Sequence, residues 1–374
     1  VHQNDHDYVL WYTKKVAQRR EIMLSTPFTE LHIEAGAKMT PFSGYNMPLH
    51  YGSQIAEHQA VREDAGVFDV SHMMITDISG AEAKAFLQKL IANDVAKLEK
   101  VGIGKALYSA MLNETAGVVD DVIVYLLPFG YRIVSNAGTR AKVKAWFIKV
   151  AAAFQVQLTE RDDFAMLAIQ GPHAIAKVGE MRLDWRDKIL ALKLFQGVEC
   201  DGFFIARTGY TGEEGLEVMI PLAAAAQFWR DLLQVGVKPC GLAARDTLRL
   251  EAGMNLYGQD MDESVHPLEA GLAWCVDLKD NQRNFIGRDA VEAKIDTPHP
   301  KQVGLVLLGQ GVLRAHQVFR NHLGELGVVT SGTFSPTLKQ SIAMARVPSH
   351  TTDHGFVQIR GQWQAVRVQA LPFR

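Results

Sequence analysis

Residues 113–136 read NETAGVVDDVIVYLLPFGYRIVSN. Two apolar runs, residues 118–127 and 131–135, flank Pro128-Phe129-Gly130, and this pattern predicts two strands folded back as a hairpin. A segment with helical spacing, residues 139–154, follows directly. A hairpin mixed with helices argues for α+β units rather than a doubly wound parallel sheet. Inside the first run sit two adjacent carboxylates, Asp120 and Asp121. Successive strand side chains point to opposite faces, so a regular strand places one acid with Val122 and Val124 and the other with Ile123 and Tyr125. At most one is expected to enter a cavity. A carboxylate removed from water without partners costs several kcal/mol or shifts its pKa upward, which makes the pair a candidate site. The structural alternative puts both acids at a solvated strand mouth.

The rest of the chain extends this pattern. Helices are expected over residues 53–63, 81–98, 223–235 and 242–252, with strands over 105–112, 165–169, 203–207 and 216–220. Beyond Pro298 the pattern changes to short apolar runs at 303–308, 328–331, 342–345, 356–359 and 365–371, separated by turn residues. This spacing predicts a small all-β barrel or sandwich. We therefore expect an N-terminal extension over 1–25 without fixed structure, α+β lobes over 26–296 and a β-domain over 297–374.

Composition narrows the function. The chain has 374 residues and a formal charge of −2, so nothing in its balance calls for nucleic acid or an anionic membrane as a partner. No apolar run approaches the roughly 20 residues of a membrane helix. Cys200, Cys240 and Cys275 lack metal or disulfide spacing and read as free thiols, which favours a reducing, cytoplasmic setting. There is no Walker loop, no dinucleotide GxGxxG and no GxSxG. His72, in DVSHMM, reads as a packing histidine.

Two further stretches carry chemistry. In RTGYTGEEGLEV (207–218), Gly209, Gly212 and Gly215 permit tight turns, but Glu213 and Glu214 argue against a phosphate cradle. In the strand that follows, Glu217 projects opposite Leu216, Val218 and Ile220. In GLAARDTLRLEAGMNLYGQDMDE (241–263), Arg245 and Arg249 share one helical face. Either could hold a ligand carboxylate or carbonyl through its planar fork, while Asp246 offers Arg249 a structural partner.

Together with MPLHYGSQIAEH (47–58), GVFDVSHM (66–73), IVSNAGTR (133–140) and TSGTFSPTLKQSIAMARVP (330–348), these stretches resemble the aminomethyltransferase, or T-protein, family of the glycine cleavage system. The resemblance runs from about residue 26 to the C-terminus. It implies a three-lobed cloverleaf, with two ferredoxin-like α+β lobes and a C-terminal β-barrel around a tetrahydrofolate channel. It implies transfer of a one-carbon unit from the aminomethyl-dihydrolipoyl arm of H-protein to tetrahydrofolate, with release of ammonia. Alternatives on the same fold are a folate-dependent demethylase and a non-catalytic folate-binding protein. The cysteine-containing signature of the latter is missing from MNLYGQDM (254–261).

Carried over by motif, the resemblance makes Asp120 the catalytic carboxylate, stabilising cationic character as the carbon moves. It places Met73, Asn136, Tyr210, Glu217, Arg245 and Arg374 at the folate, and leaves open whether Arg245 meets the pterin or the glutamate tail. The sequence departs from the family's pattern at Ala116, where a glycine is usual. A positive φ there would strain an alanine by roughly 1 kcal/mol.

Overall fold

The computed structural model describes residues 23–374. The expected N-terminal extension lies outside the described residues except for Met23, Leu24 and Ser25.

Two antiparallel-rich sheets form the body. One has five strands in the spatial order Ala106–Leu112, Val118–Leu127, Gly130–Ser135, Met74–Ser79, Gln157–Glu160. The other has six, in the order Gly197–Cys200, Phe203–Ala206, Gly215–Pro221, Phe164–Gln170, Gly66–Asp69, Lys238–Pro239. The six-stranded sheet begins with Gly66–Asp69 and resumes at Phe164, so the five-stranded sheet, whose strands run consecutively from Met74 to Glu160, is inserted within it in sequence. The expected hairpin is present, paired from Leu127↔Gly130 to Ile123↔Val134.

Strand alternation then sorts the side chains into layers. On the five-stranded sheet, Val122, Val124 and Ile133 pack under the helices Ala83–Leu90 and Arg140–Ala151. On the six-stranded sheet, Leu216, Val218 and Ile220 pack under the helices Ala174–Met181 and Leu222–Gln234. The opposite faces meet each other. Tyr125, Val134, Phe204, Ala206 and Met219 form a core between the sheets, and the Tyr125 and Phe204 rings meet edge to face at 4.9 Å. This helix–sheet–sheet–helix stack buries both faces of each sheet.

The C-terminal segment closes into a six-stranded barrel. The sequence reading missed one of its strands, Val318–Arg320, because three residues are too short to show alternation. A second difference lies in the helix expected over 81–98, which breaks into Ala83–Leu90 and Ala96–Glu99. Between them the chain runs along the sheet edge, where Ile91 bridges Met111 and the Ala92 amide donates to the Ala110 carbonyl. Three apolar residues in a row, Ile91 among them, satisfied the helical period equally well. The helix Leu242–Glu251 joins the body to the barrel, with Leu250 packing on Val306, Ile342 and Met344.

Ala116 does adopt a left-handed conformation, at φ 62°. The turn around it is fixed by Asn113, whose Oδ1 accepts from the Gly117 amide at 2.7 Å. Gly117 itself has no alternative, since a Cβ there would lie 1.7 Å from the Glu263 carbonyl oxygen.

Candidate active site

The inner sheet faces, the hairpin Lys38–Phe42/Tyr45–His50, the Leu242–Glu251 helix and the rim of the barrel enclose a cavity of about 1070 Å³. Its wall combines Asp121, Ile123 and Asn136 from the five-stranded sheet and the loop that follows it. Glu217 comes from the six-stranded sheet, Arg245 from the helix, and Arg314 and Phe334 from the barrel. A concave site of this size with a few convergent polar groups suits a ligand larger than a simple metabolite.

The alternation argument holds, but it assigns the acids the other way round. Asp121 shares its face with Ile123 and Tyr125, which look between the sheets, and it lines the cavity. Asp120 points to the helix-covered side and is 0% exposed. Asp120 was expected to enter the cavity because its motif position was matched without knowing which sheet face was covered by helices.

The two acids are also not separated as expected. The hairpin ladder stops at Ile123↔Val134, leaving the strand edge beside residues 120–121 open. Asn136 sits over that edge, and its Nδ2 donates to Asp120 Oδ1 and to Asp121 Oδ1, both at 2.7 Å. Asp120 Oδ2 accepts from Thr139 Oγ1 at 2.7 Å, and Asp121 Oδ2 from the Tyr108 hydroxyl at 3.0 Å. Tyr108 is held flat against Trp274, with ring centroids 5.2 Å apart.

Burial, and then the charge of Asp121, push the Asp120 carboxyl up to about 7. Burial also raises Asp121, against the hydrogen bonds from Tyr108 and Asn136. Two acids clamped by one amide titrate as a coupled pair, and burial raises both. The sign for stability follows from the raised value. Between about pH 4, the unfolded Asp pKa, and pH 7 the folded chain keeps a proton that the unfolded chain releases. Unfolding free energy from this group is therefore fully present below pH 4 and falls as pH rises through 7. Urea melts from pH 5 to pH 8 are expected to show this descent, and Asp120→Asn to flatten it. An unchanged slope in the variant removes the assignment.

Across the cavity, Glu217 projects from the inner face as anticipated. Its Oε2 accepts from Thr208 Oγ1 at 2.6 Å, and burial raises its pKa. Oε1 is left for a ligand donor. The Arg245 guanidinium lies 4.4 Å from the centre of the Tyr210 ring, and the Tyr210 hydroxyl donates to the Asn255 carbonyl, which fixes the ring. Burial lowers Arg245, partly offset by Tyr210 and Glu217. Met73 contributes an apolar part of the wall.

Arg249, the other candidate on that helix, has a structural role. It is 2% exposed and pairs with Asp260 at 2.9 Å and Asp246 at 2.8 Å. Arg374 does not line the cavity. Phe373 packs with Leu371 against the barrel, and its amide donates to the Glu251 carbonyl at 3.0 Å. This anchoring holds Arg374 against Glu213 at 2.5 Å. Because that pair is partly exposed, Arg374→Ala is expected to change ligand affinity by less than about twofold, a shift measurable by calorimetric titration.

Sequence reasoning missed Tyr108, Thr139 and Trp274. Tyr108 pairs with Ile123 across the sheet, two positions from the Ala110↔Asp121 pair and so on the same face, so only the strand register reveals it. Thr139 and Trp274 carry no local signal.

These features define a two-sheet α+β enzyme with a barrel appended, in which Asp121, backed by the buried Asp120, shares one cavity with a buried glutamate and an arginine. A family model described as the GCVT N-terminal domain matches residues 28–280. The glycine cleavage T-protein C-terminal barrel domain matches residues 301–374. The chain is 57% identical to an aminomethyltransferase of Chromobacterium violaceum, covering 93% of this chain and 96% of the relative. It is 54% identical to one from Pseudomonas syringae pv. tomato, covering 92% and 95%. The crystal structure of the glycine cleavage system aminomethyltransferase T from Bartonella henselae superposes with a TM-score of 0.88 at 36% identity, covering 94% of this chain and 98% of that one.

The chain belongs to the glycine cleavage T-protein family, and its activity is aminomethyl transfer. Among the described residues no helix is long and apolar enough to cross a membrane.

Proposed function

We propose that the chain takes the aminomethyl group carried as a thioether on the dihydrolipoyl arm of H-protein and passes its carbon to tetrahydrofolate. The carbon–sulfur and carbon–nitrogen bonds break, two bonds form to folate nitrogens, and ammonia and dihydrolipoyl H-protein leave. The observation that carries this reading is the cavity's division of labour. Asp121, backed by Asp120, lines one side of the cavity, and a buried glutamate and a stacked arginine line another.

The residues fit a folate. Glu217, with one oxygen committed to Thr208, presents the other to the adjacent N–H donors of an amino-pyrimidinone edge. Arg245, flat over Tyr210, offers a planar fork to a ligand carbonyl or carboxylate. Met73 and Ile123 supply apolar surface for a flat ring. Tetrahydrofolate supplies the amines that accept the carbon.

The reacting carboxylate in this reading is Asp121. Tyr108 and Asn136 hold its two oxygens, so its charge is pre-oriented toward the cavity. A fixed anion there stabilises positive charge that develops as ammonia leaves, and it receives or relays a proton from a folate amine. Asp120 acts from behind, through the shared Asn136 amide. It is a positioning residue, because it does not reach the cavity.

The direct test supplies purified protein with aminomethylated H-protein and tetrahydrofolate, and measures ammonia and methylenetetrahydrofolate. Stoichiometric release of both is expected. Binding of tetrahydrofolate without release of either product would move the assignment to a folate-binding protein.

A further inference from the structure

Among the described residues, the buried histidines other than His72 are satisfied through at least one ring nitrogen. His32 engages Asp69 at 3.0 Å through Nε2 and the Tyr51 hydroxyl at 2.8 Å through Nδ1. His58 engages Thr247 at 2.8 Å through Nδ1 and Thr337 at 2.9 Å through Nε2. His266 uses Nδ1 to accept from the Leu268 amide at 3.2 Å. His72 is the exception among the described residues. It is 3% exposed, and its Nδ1 is buried without a partner. The Phe42 ring stands edge-on to it at 5.5 Å, and Tyr45 lies 6.2 Å away.

Asp69, the nearest acid in sequence, cannot serve it. Its oxygens are taken by Thr26, His32 and the Ser71 amide. The small exposed part of His72 opens onto the cavity, beside Met73. Burial, against the pull of Asp69 and with the repulsion of Arg245, brings its pKa down to about 4, so the ring is neutral at pH 7. A neutral imidazole carries one proton. Leaving a lone pair unmet at the buried Nδ1 costs less than orphaning an N–H there, which places the proton on Nε2.

We infer that His72 is a binding residue whose Nε2–H donates a hydrogen bond to an acceptor atom of the bound folate. This rests on the folate reading above. The acceptor is a carbonyl oxygen, ring nitrogen or carboxylate on the face of the ligand next to Met73. A cavity wall that presents an unpaired donor selects for ligands that meet it, because an analogue lacking the acceptor covers the donor without satisfying it.

Three substitutions at this position separate binding from packing. Gln places its amide nitrogen near the position of Nε2, Asn places one near Nδ1, and Leu offers neither. Calorimetric titration with tetrahydrofolate is expected to show His72→Leu and His72→Asn weakened about tenfold, and His72→Gln within about threefold of wild type. In parallel, the nitrogen-15 spectrum of histidine-labelled wild-type protein is expected to show His72 as the neutral Nε2–H form at pH 7, with its Nε2 signal moving when tetrahydrofolate is added. Wild-type affinity in His72→Leu, or a His72 signal indifferent to tetrahydrofolate, overturns the inference and leaves the folate reading standing. If wild-type protein takes up no tetrahydrofolate, the folate reading fails and His72 falls with it.

Discussion

Asp121→Asn is expected to lower the rate of methylenetetrahydrofolate formation by about two to four orders of magnitude, the range over which a positioned acid–base group acts. Tetrahydrofolate affinity should stay within about threefold. The amide keeps the size of the carboxylate, and the Tyr108 hydroxyl can turn to accept from it, so the wall is preserved while the charge is lost. Asp120→Asn should be milder in turnover, because Asp120 is buried behind the wall and touches the cavity only through Asn136 and Thr139. Rates and calorimetric affinities of both variants decide the matter. A dead Asp120→Asn beside an active Asp121→Asn would reverse the orientation argument.

The second large effect is on stability. Arg249→Met is expected to reduce unfolding free energy by about 3–5 kcal/mol, the cost of leaving a buried charge without its partner. The stranded group is Asp260, which is 1% exposed. Its remaining contacts, from Ser331 at 2.9 Å, the Leu256 amide at 2.9 Å and Thr330, orient the carboxylate without neutralising it. Because the Arg249–Asp260 pair ties the Leu242–Glu251 helix to the barrel through Ser331, both units should soften together. Urea melts provide the measurement. Adding Asp260→Asn to Arg249→Met should recover part of the loss, since the buried charge is then gone. A single variant as stable as wild type would mean that water reaches Asp260.

Several site residues were legible because their neighbours already dictated their direction. Glu217 lies between Leu216 and Val218 on a strand with one plainly apolar side, and the cavity side follows by elimination. Asn136 was placed beside the folate and the carboxylate by the family resemblance. Helical spacing alone did not separate Arg245 from Arg249, since both lie on one face four residues apart, and only the family resemblance chose Arg245. Asp260 and Ser331 decide between them, and both arrive from elsewhere in the chain.

By itself the sequence determined the α+β class, the terminal β-domain and a motif set specific enough to imply the family. Each of these is written in local periodicity or in contiguous residues. It also determined that Asp120 and Asp121 must face opposite ways. Only the tertiary structure decided which way the cavity lies. Helices cover one face of the five-stranded sheet and the second sheet covers the other, so Asp121, Ile123 and Tyr125 look inward and Asp121, not Asp120, lines the cavity. Alternation along a strand is a local rule, whereas the identity of the covered face depends on residues nearly 100 positions away. The same distance explains His72. That it lacks a partner could be known only once the hairpin, the sheet and Asp69 had taken their places around it.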